Sequence, residues 1–210
     1  MTVQQTKEML IAVSDHIMKS CGYLTEIDSK IGDGDHGEGM TRGFKAVKQM
    51  LTGSDFDSIN QLFMETGMTL LDSMGGASGV IFGTLFISGI SGMEQKSELD
   101  VKTLAAVMRK GFEAIRERGK AELGDKTMLD ALHPAVIALE DHAGRVADSI
   151  AVALKSAWKA AEQGVESTKN MLAKKGRARQ FREESVGYQD AGATSVMLIF
   201  EAMHKYAERI

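Results

Sequence analysis

Cysteine occurs once in this chain of 210 residues, and so does proline. A lone Cys21 excludes an internal disulfide and any cysteine-rich zinc site, and it suits a reducing compartment. With Pro134 alone and aromatics at only 6%, breakers are few and straight side chains many, which favours helices. Strong charge of one sign is missing too. A net charge of −4 gives no broad field for DNA, RNA or anionic lipid, so neither nucleic acid nor membrane is an expected partner. The longest apolar stretch, "GVIFGTLFISGISGM" (79–93), is shorter than the roughly 20 residues a membrane span needs. The opening "MTVQQTKEML" lacks the basic-then-apolar pattern of a signal peptide. A cytoplasmic location is the expectation.

What is present is ordinary globular composition, 43% hydrophobic and 26% charged, with 14 methionines. One domain over residues 1–210 is expected. Apolar residues recur at helical spacing along nearly the whole chain. Leu10, Val13 and Ile17 mark a first helix, and Leu24, Ile27 and Ile31 a short second one. Met40, Phe44, Val47 and Leu51 mark a third that stops at Gly53. Ser58 and Asp100 are placed to cap two further helices. Residues 79–93 are apolar nearly all round, which predicts a central helix. Another, over Met128 to Leu139, is expected to begin or kink near Pro134. A long helix runs from Val146 to Val165, and a last one carries Val196 to Met203. No period-two strands appear. The spacing predicts an all-α bundle of about eight helices. Longer links at 73–79, 118–128 and 174–195 concentrate glycine and polar residues, where chemistry is expected.

The loop "IGDGDHGEG" (31–39) has glycines at G-x-G-x-x-G spacing, yet no strand precedes it and Asp33 and Asp35 sit inside the frame. An EF-hand frame begun at Asp33 puts Phe44 where a glutamate belongs. Asp28, Asp33 and Asp35 crowd three anions, and two carboxylates about 5 Å apart repel by roughly 3 kcal/mol at an effective dielectric near 20. Divalent magnesium reverses that sign, since it takes a few carboxylates and completes its shell with phosphate oxygens and water. Asp33 and Asp35 have the spacing to share two ions about 3.5–4 Å apart. His36 either contacts a nucleotide or bonds nearby backbone. "GGASG" (75–79), with Ser78, reads either as a tight interhelical turn or as a loop that lets backbone approach phosphate. "GKAELGDKT" only imitates a phosphate loop, because Asp125 separates Gly124 from Lys126. The basic run Lys174, Lys175, Arg177, Arg179 and Arg182 is either a solvated loop or the source of one arginine for phosphoryl charge.

Four blocks in order, "EIDSKIGDGDHGEGMTRGF", "GMTLLDSMGGASGVIFGTLF", "RGKAELGDKTMLD" and "KKGRA…YQDAGATS", resemble the nucleotide-binding L subunit of bacterial dihydroxyacetone kinases. The resemblance implies an antiparallel barrel of eight helices with nucleotide held by loops at one end. It implies that Asp28, Asp33 and Asp35 hold two magnesium ions. It assigns nucleotide contacts to His36, Gly37, Ala77 and Ser78, then to Gly119 and Met128 beside adenine, and to Arg177, Asp190 and Gly192. Two departures fall within these segments. "HGEG" places Glu38 and Gly39 where relatives often carry x-Asn, and Ala191 replaces a proline; all three are still expected among the nucleotide contacts. The implied activity is phosphoryl transfer to a short-chain ketose held by a partner K subunit. ADP would be a bound cofactor rephosphorylated by an M subunit of the phosphotransferase system, and Arg177 would neutralise charge during transfer. ATP-dependent action on another ketose such as erythrulose, a two-metal hydrolase and a nucleotide-sensing regulator remain as alternatives.

Overall fold

Thr2 opens the first helix with a capping box. Its hydroxyl accepts the Gln5 N–H while the Gln5 carboxamide accepts the Thr2 N–H. The computed structural model describes residues 1–145 and 149–210. Its helices are α1 (Val3–Lys19), α2 (Cys21–Ile31), α3 (His36–Gly53), α4 (Ile59–Met74) and α5 (Gly76–Ile90). They continue as α6 (Val101–Gly119), α7 (Leu129–Ala143), α8 (Ile150–Thr168) and α9 (Ala191–Ala207), with a 3₁₀ segment at Ala178–Ser185. Ser58 and Asp100 cap α4 and α6 as their spacing predicts, accepting from Gln61 N–H and Thr103 N–H. Among the described residues there is no strand, only one isolated bridge between Thr2 and Glu98. No described helix is long and apolar enough to cross a membrane.

Eight of the helices close a ring. Going round it, α1 packs on α3, then come α4, α5, α6, α7, α8 and α9 in order, and α9 returns to α1. Helix α2 stands outside this ring against α3 and α9. The described residues form an all-α barrel, and each of their nine α-helices contributes to one hydrophobic core, α2 through Leu24 alone. Small residues set the close spacing of its walls. A Cβ on Gly83 of α5 would lie 2.9 Å from the Gly67 carbonyl of α4. On Gly164 of α8 it would collide with the Asp130 carbonyl of α7.

Three expectations need correction. Pro134 does not begin α7, which starts five residues earlier and carries the proline inside it. Pro134 has no N–H for the Asp130 carbonyl, and Gly164 lets α8 pack directly over that carbonyl. The supposed long link at 73–79 is one residue, Gly75, between α4 and α5. Gly75 and Gly76 both adopt positive φ, 74° and 61°, which makes so short a reversal possible. Third, residues 91–93 fall outside α5. Val146, expected to open the long helix, lies outside the described residues.

The α2–α3, α4–α5, α6–α7 and α8–α9 connections gather at one rim, since residues in or beside all four line a single cavity. The N-termini of α3, α5, α7 and α9 all begin there. Each brings the positive end of a helix dipole to that rim.

Candidate functional site

The three glycines of the G-x-G-x-x-G frame, Gly32, Gly34 and Gly37, have reasons unconnected with a dinucleotide. A Cβ on Gly32 would strike the Asp28 carboxylate, so the missing side chain gives that carboxylate its place. Gly34 takes φ 75°, turning the chain between Asp33 and Asp35. Gly37 is buried, and a Cβ there would strike the Cys21 carbonyl and Thr25 hydroxyl, so it seats α3 on α2. The result is convergence. Asp28, Asp33 and Asp35 each offer a carboxylate oxygen, and these oxygens lie within 4.8 Å of one another.

Like charges so close are costly without a cation. The Asp35 carboxyl is pushed up, first by desolvation and then by the charges of Asp33 and Asp28. Hard carboxylate oxygens at this separation, partly open to solvent, fit magnesium. Arg177 supplies a neighbouring positive charge, its Nε 3.0 Å from Asp33 Oδ2. The Arg177 side chain is 70% exposed, so this ion pair is weak and easily exchanged.

Beside the acids lies a cavity of about 330 Å³. Asp28, Asp33, Asp35 and His36 form one wall, and Ala77 and Ser78 of the α5 N-terminus a second. Gly119, Thr127, Met128 and Leu129 form a third, while Arg177, Asp190, Ala191 and Gly192 close the fourth. Its inner surface is apolar, built from Ile81, Phe82, Ile115 and Ala121. A flat heteroaromatic group fits such a floor, and an anionic tail would meet the helix N-termini and acids at the rim.

His36 is tied to both α2 and α9. It lines the cavity, its N–H donates to Asp28 Oδ2 at 3.2 Å, and its Nε2 lies 2.8 Å from the Ser195 hydroxyl on α9. Burial lowers the imidazole pKa, so the neutral ring is favoured. Asp190 caps α9, accepting the Ala193 N–H at 2.7 Å. Burial of its carboxyl pushes the pKa up to about 7 against the pull of that N–H.

The structure thus brings twelve of the expected residues to one cavity. Gly37, Glu38 and Gly39 are the exceptions: they do not line it. Gly37 is buried against α2, Glu38 faces a separate polar groove with Arg42 and Lys45, and Gly39 lies near Arg42 and the Met74 carbonyl. Sequence reading missed the apolar floor, because Phe82 and Ile115 repeat at helical spacing and look like any core residue. It also missed Lys126, which is buried and donates to four backbone carbonyls.

Against known proteins, the chain matches a family model described as the DAK2 domain over residues 30–205. It is 43% identical over 181 residues to "PEP-dependent dihydroxyacetone kinase, ADP-binding subunit DhaL" of Escherichia coli (strain K12), covering 86% of each. It is 34% identical over 198 residues to L-erythrulose kinase of Pectobacterium atrosepticum, covering 92% of this chain and 33% of that protein. A crystal structure of the dihydroxyacetone kinase from C. freundii with AMP-PNP and Mg2+ shares the fold, with a TM-score of 0.74 at 24% identity. That likeness spans 95% of this chain and a third (33%) of that one.

Proposed function

Since the chain belongs to the DAK2 domain family, we propose that it is the nucleotide-binding subunit of a dihydroxyacetone-type ketose kinase. The observation that carries this reading is the convergence of three carboxylates at the mouth of an apolar cavity ringed by helix N-termini. Asp28, Asp33 and Asp35 hold two magnesium ions. When bound, magnesium neutralises phosphate charge and orients phosphate oxygens. Ser78 and the N–H groups beginning α3, α5 and α9 steady the phosphates. Gly119 and Met128 border adenine over the Ile81 and Phe82 floor. Arg177 leaves Asp33 and turns its guanidinium to the transferring phosphoryl group, where positive charge favours the transition state. His36, tied to Ser195, orients the start of α3.

The single domain over residues 1–210 keeps ADP bound in the cytoplasm. A phosphoprotein M subunit rephosphorylates it, and the ketose hydroxyl is presented by a partner K subunit. The naming of the E. coli relative as an ADP-binding subunit supports the cofactor mode. The similarity to an erythrulose kinase keeps a four-carbon acceptor within the reading.

The test begins with protein purified without added nucleotide, then denatured to identify what it releases. Equimolar ADP is expected. An empty site that turns over free ATP with a K partner and ketose would replace the cofactor mode by the ATP-dependent one. Asp33→Ala should abolish magnesium-dependent ADP binding by calorimetry while circular dichroism stays nearly unchanged. Undiminished affinity in that variant would refute the metal site.

A further inference from the structure

Between α8 and α9 the chain makes a closed loop whose ends meet at a neck. The Asp190 N–H donates to the Thr168 hydroxyl at 3.0 Å, and the Gly187 N–H to the Lys169 carbonyl at 2.7 Å. Inside, the Ala173 N–H donates to the Ser185 hydroxyl at 3.0 Å. Arg177 sits on this loop, over Asp33. Compact loops of this kind hold their shape by filling their own interior. Here the filling comes from elsewhere. Lys126, on the α6–α7 connection and 1% exposed, reaches into the neck. Its Nζ donates to the carbonyls of Thr168 at 2.9 Å, Met171 at 3.2 Å, Ser185 at 2.6 Å and Tyr188 at 2.6 Å.

An ammonium has three donors and no acceptor, so four surrounding carbonyls satisfy it completely. Thr168 is the last residue of α8 and Ser185 ends the 3₁₀ segment. Both therefore present helix-end carbonyls, which carry partial negative charge and lack intrahelical partners. Without the cation the Thr168 carbonyl keeps the Met171 N–H, but those of Met171, Ser185 and Tyr188 would lose their partner, at about 1–3 kcal/mol for each buried group left unsatisfied. The neighbouring residue reinforces the same junction. The Asp125 carboxylate lies 3.3 Å from Lys174 Nζ, and its carbonyl accepts the Lys174 N–H at 3.1 Å. Lys126 itself and the residues directly after it, Thr127 to Leu129, border the cavity, while its Nζ is turned to the loop carbonyls.

We propose that Lys126 is a positioning residue: its caged ammonium locks the 169–190 loop to the α6–α7 connection, setting Arg177 and Asp190 against the wall built by Met128. Lys126 acts through that loop and not by gripping phosphate, although its setting in "GDKT" imitates a phosphate-loop lysine. Only the nucleotide arm of the test rests on the function proposed above.

Lys126→Met keeps the apolar stem and removes the charge. Limited trypsin digestion should then cut after Lys174, Lys175, Arg177, Arg179 and Arg182 at least about tenfold faster than in the unmutated chain, with sites on the helices unchanged. ADP affinity at saturating magnesium should fall about tenfold or more. Loop cleavage at the original rate overturns the proposal. So does cleavage accelerated equally everywhere, which would make Lys126 a general core residue. If the variant does not fold, amine acetylation of the unmutated protein decides. Lys126 should be the least reactive lysine and become reactive once trypsin has nicked the loop at Arg177. A Lys126 equally protected after nicking overturns the assignment. Should the unmutated protein bind no ADP, the proposed function fails while the proteolysis arm still reads the loop.

Discussion

Asp190 is half-buried in the cavity wall with its carboxyl desolvated, and its ionisation carries a folding penalty that can be read with pH. Its folded pKa is about 7 against 3.8 for the unfolded chain. Below pH about 4 both states are protonated and no penalty exists. Between about 4 and 7 the unfolded chain loses its proton first, so native stability falls as pH rises, and above 7 the loss is complete. Asp190→Asn cannot ionise, yet it retains an oxygen to accept the Ala193 N–H, and asparagine is an equally good N-cap. Without divalent ions, the variant's melting temperature should gain on the unmutated chain from pH 4 to 7 and then run parallel. A difference independent of pH would show that the carboxyl is hydrated and ionises normally.

At the scale of elements, the barrel depends on helices approaching more closely than ordinary side chains permit. Gly164 on α8 faces the Asp130 carbonyl, and Asp130 in turn accepts the Gly124 and Thr127 N–H groups that shape the cavity loop. Alanine at position 164 gains about 1 kcal/mol of helix propensity. Its Cβ meets backbone, which cannot rotate away, and overpacking of this kind costs about 1–3 kcal/mol. Gly164→Ala should therefore lower stability in urea unfolding, and it should weaken ADP binding as α7 shifts the loop. A stabilised variant would mean that α7 and α8 separate without strain.

Across the whole molecule, four connections from distant parts of the sequence meet at one rim because the ring closes, α9 against α1. Ligand binding there should stabilise the entire barrel. At a concentration one hundred times its dissociation constant, a ligand specific to the native state adds about 2.7 kcal/mol. ADP with magnesium should raise the melting temperature, whereas ADP with excess chelator should raise it far less. Equal shifts would place the phosphate contacts on the helix N-termini alone and remove the need for the acids.

The helices were legible in the sequence because each one buries a stripe, and a stripe repeats every three or four residues. Leu10, Val13 and Ile17, or Met40, Phe44 and Val47, state their own geometry. The acid cluster was legible because Asp28, Asp33 and Asp35 lie close along the chain, the last two within a glycine-rich turn. Only the tertiary structure decided what lay beyond local pattern. Phe82 became part of a cavity floor because residues of several connections converge over it. Gly37 turned inward because α2 packs on α3. Lys126, separated by 42 to 62 residues from the carbonyls it joins, could be placed only once the ring had brought them together. Local chemistry sets what a residue can bind, and chain closure sets what is there to be bound.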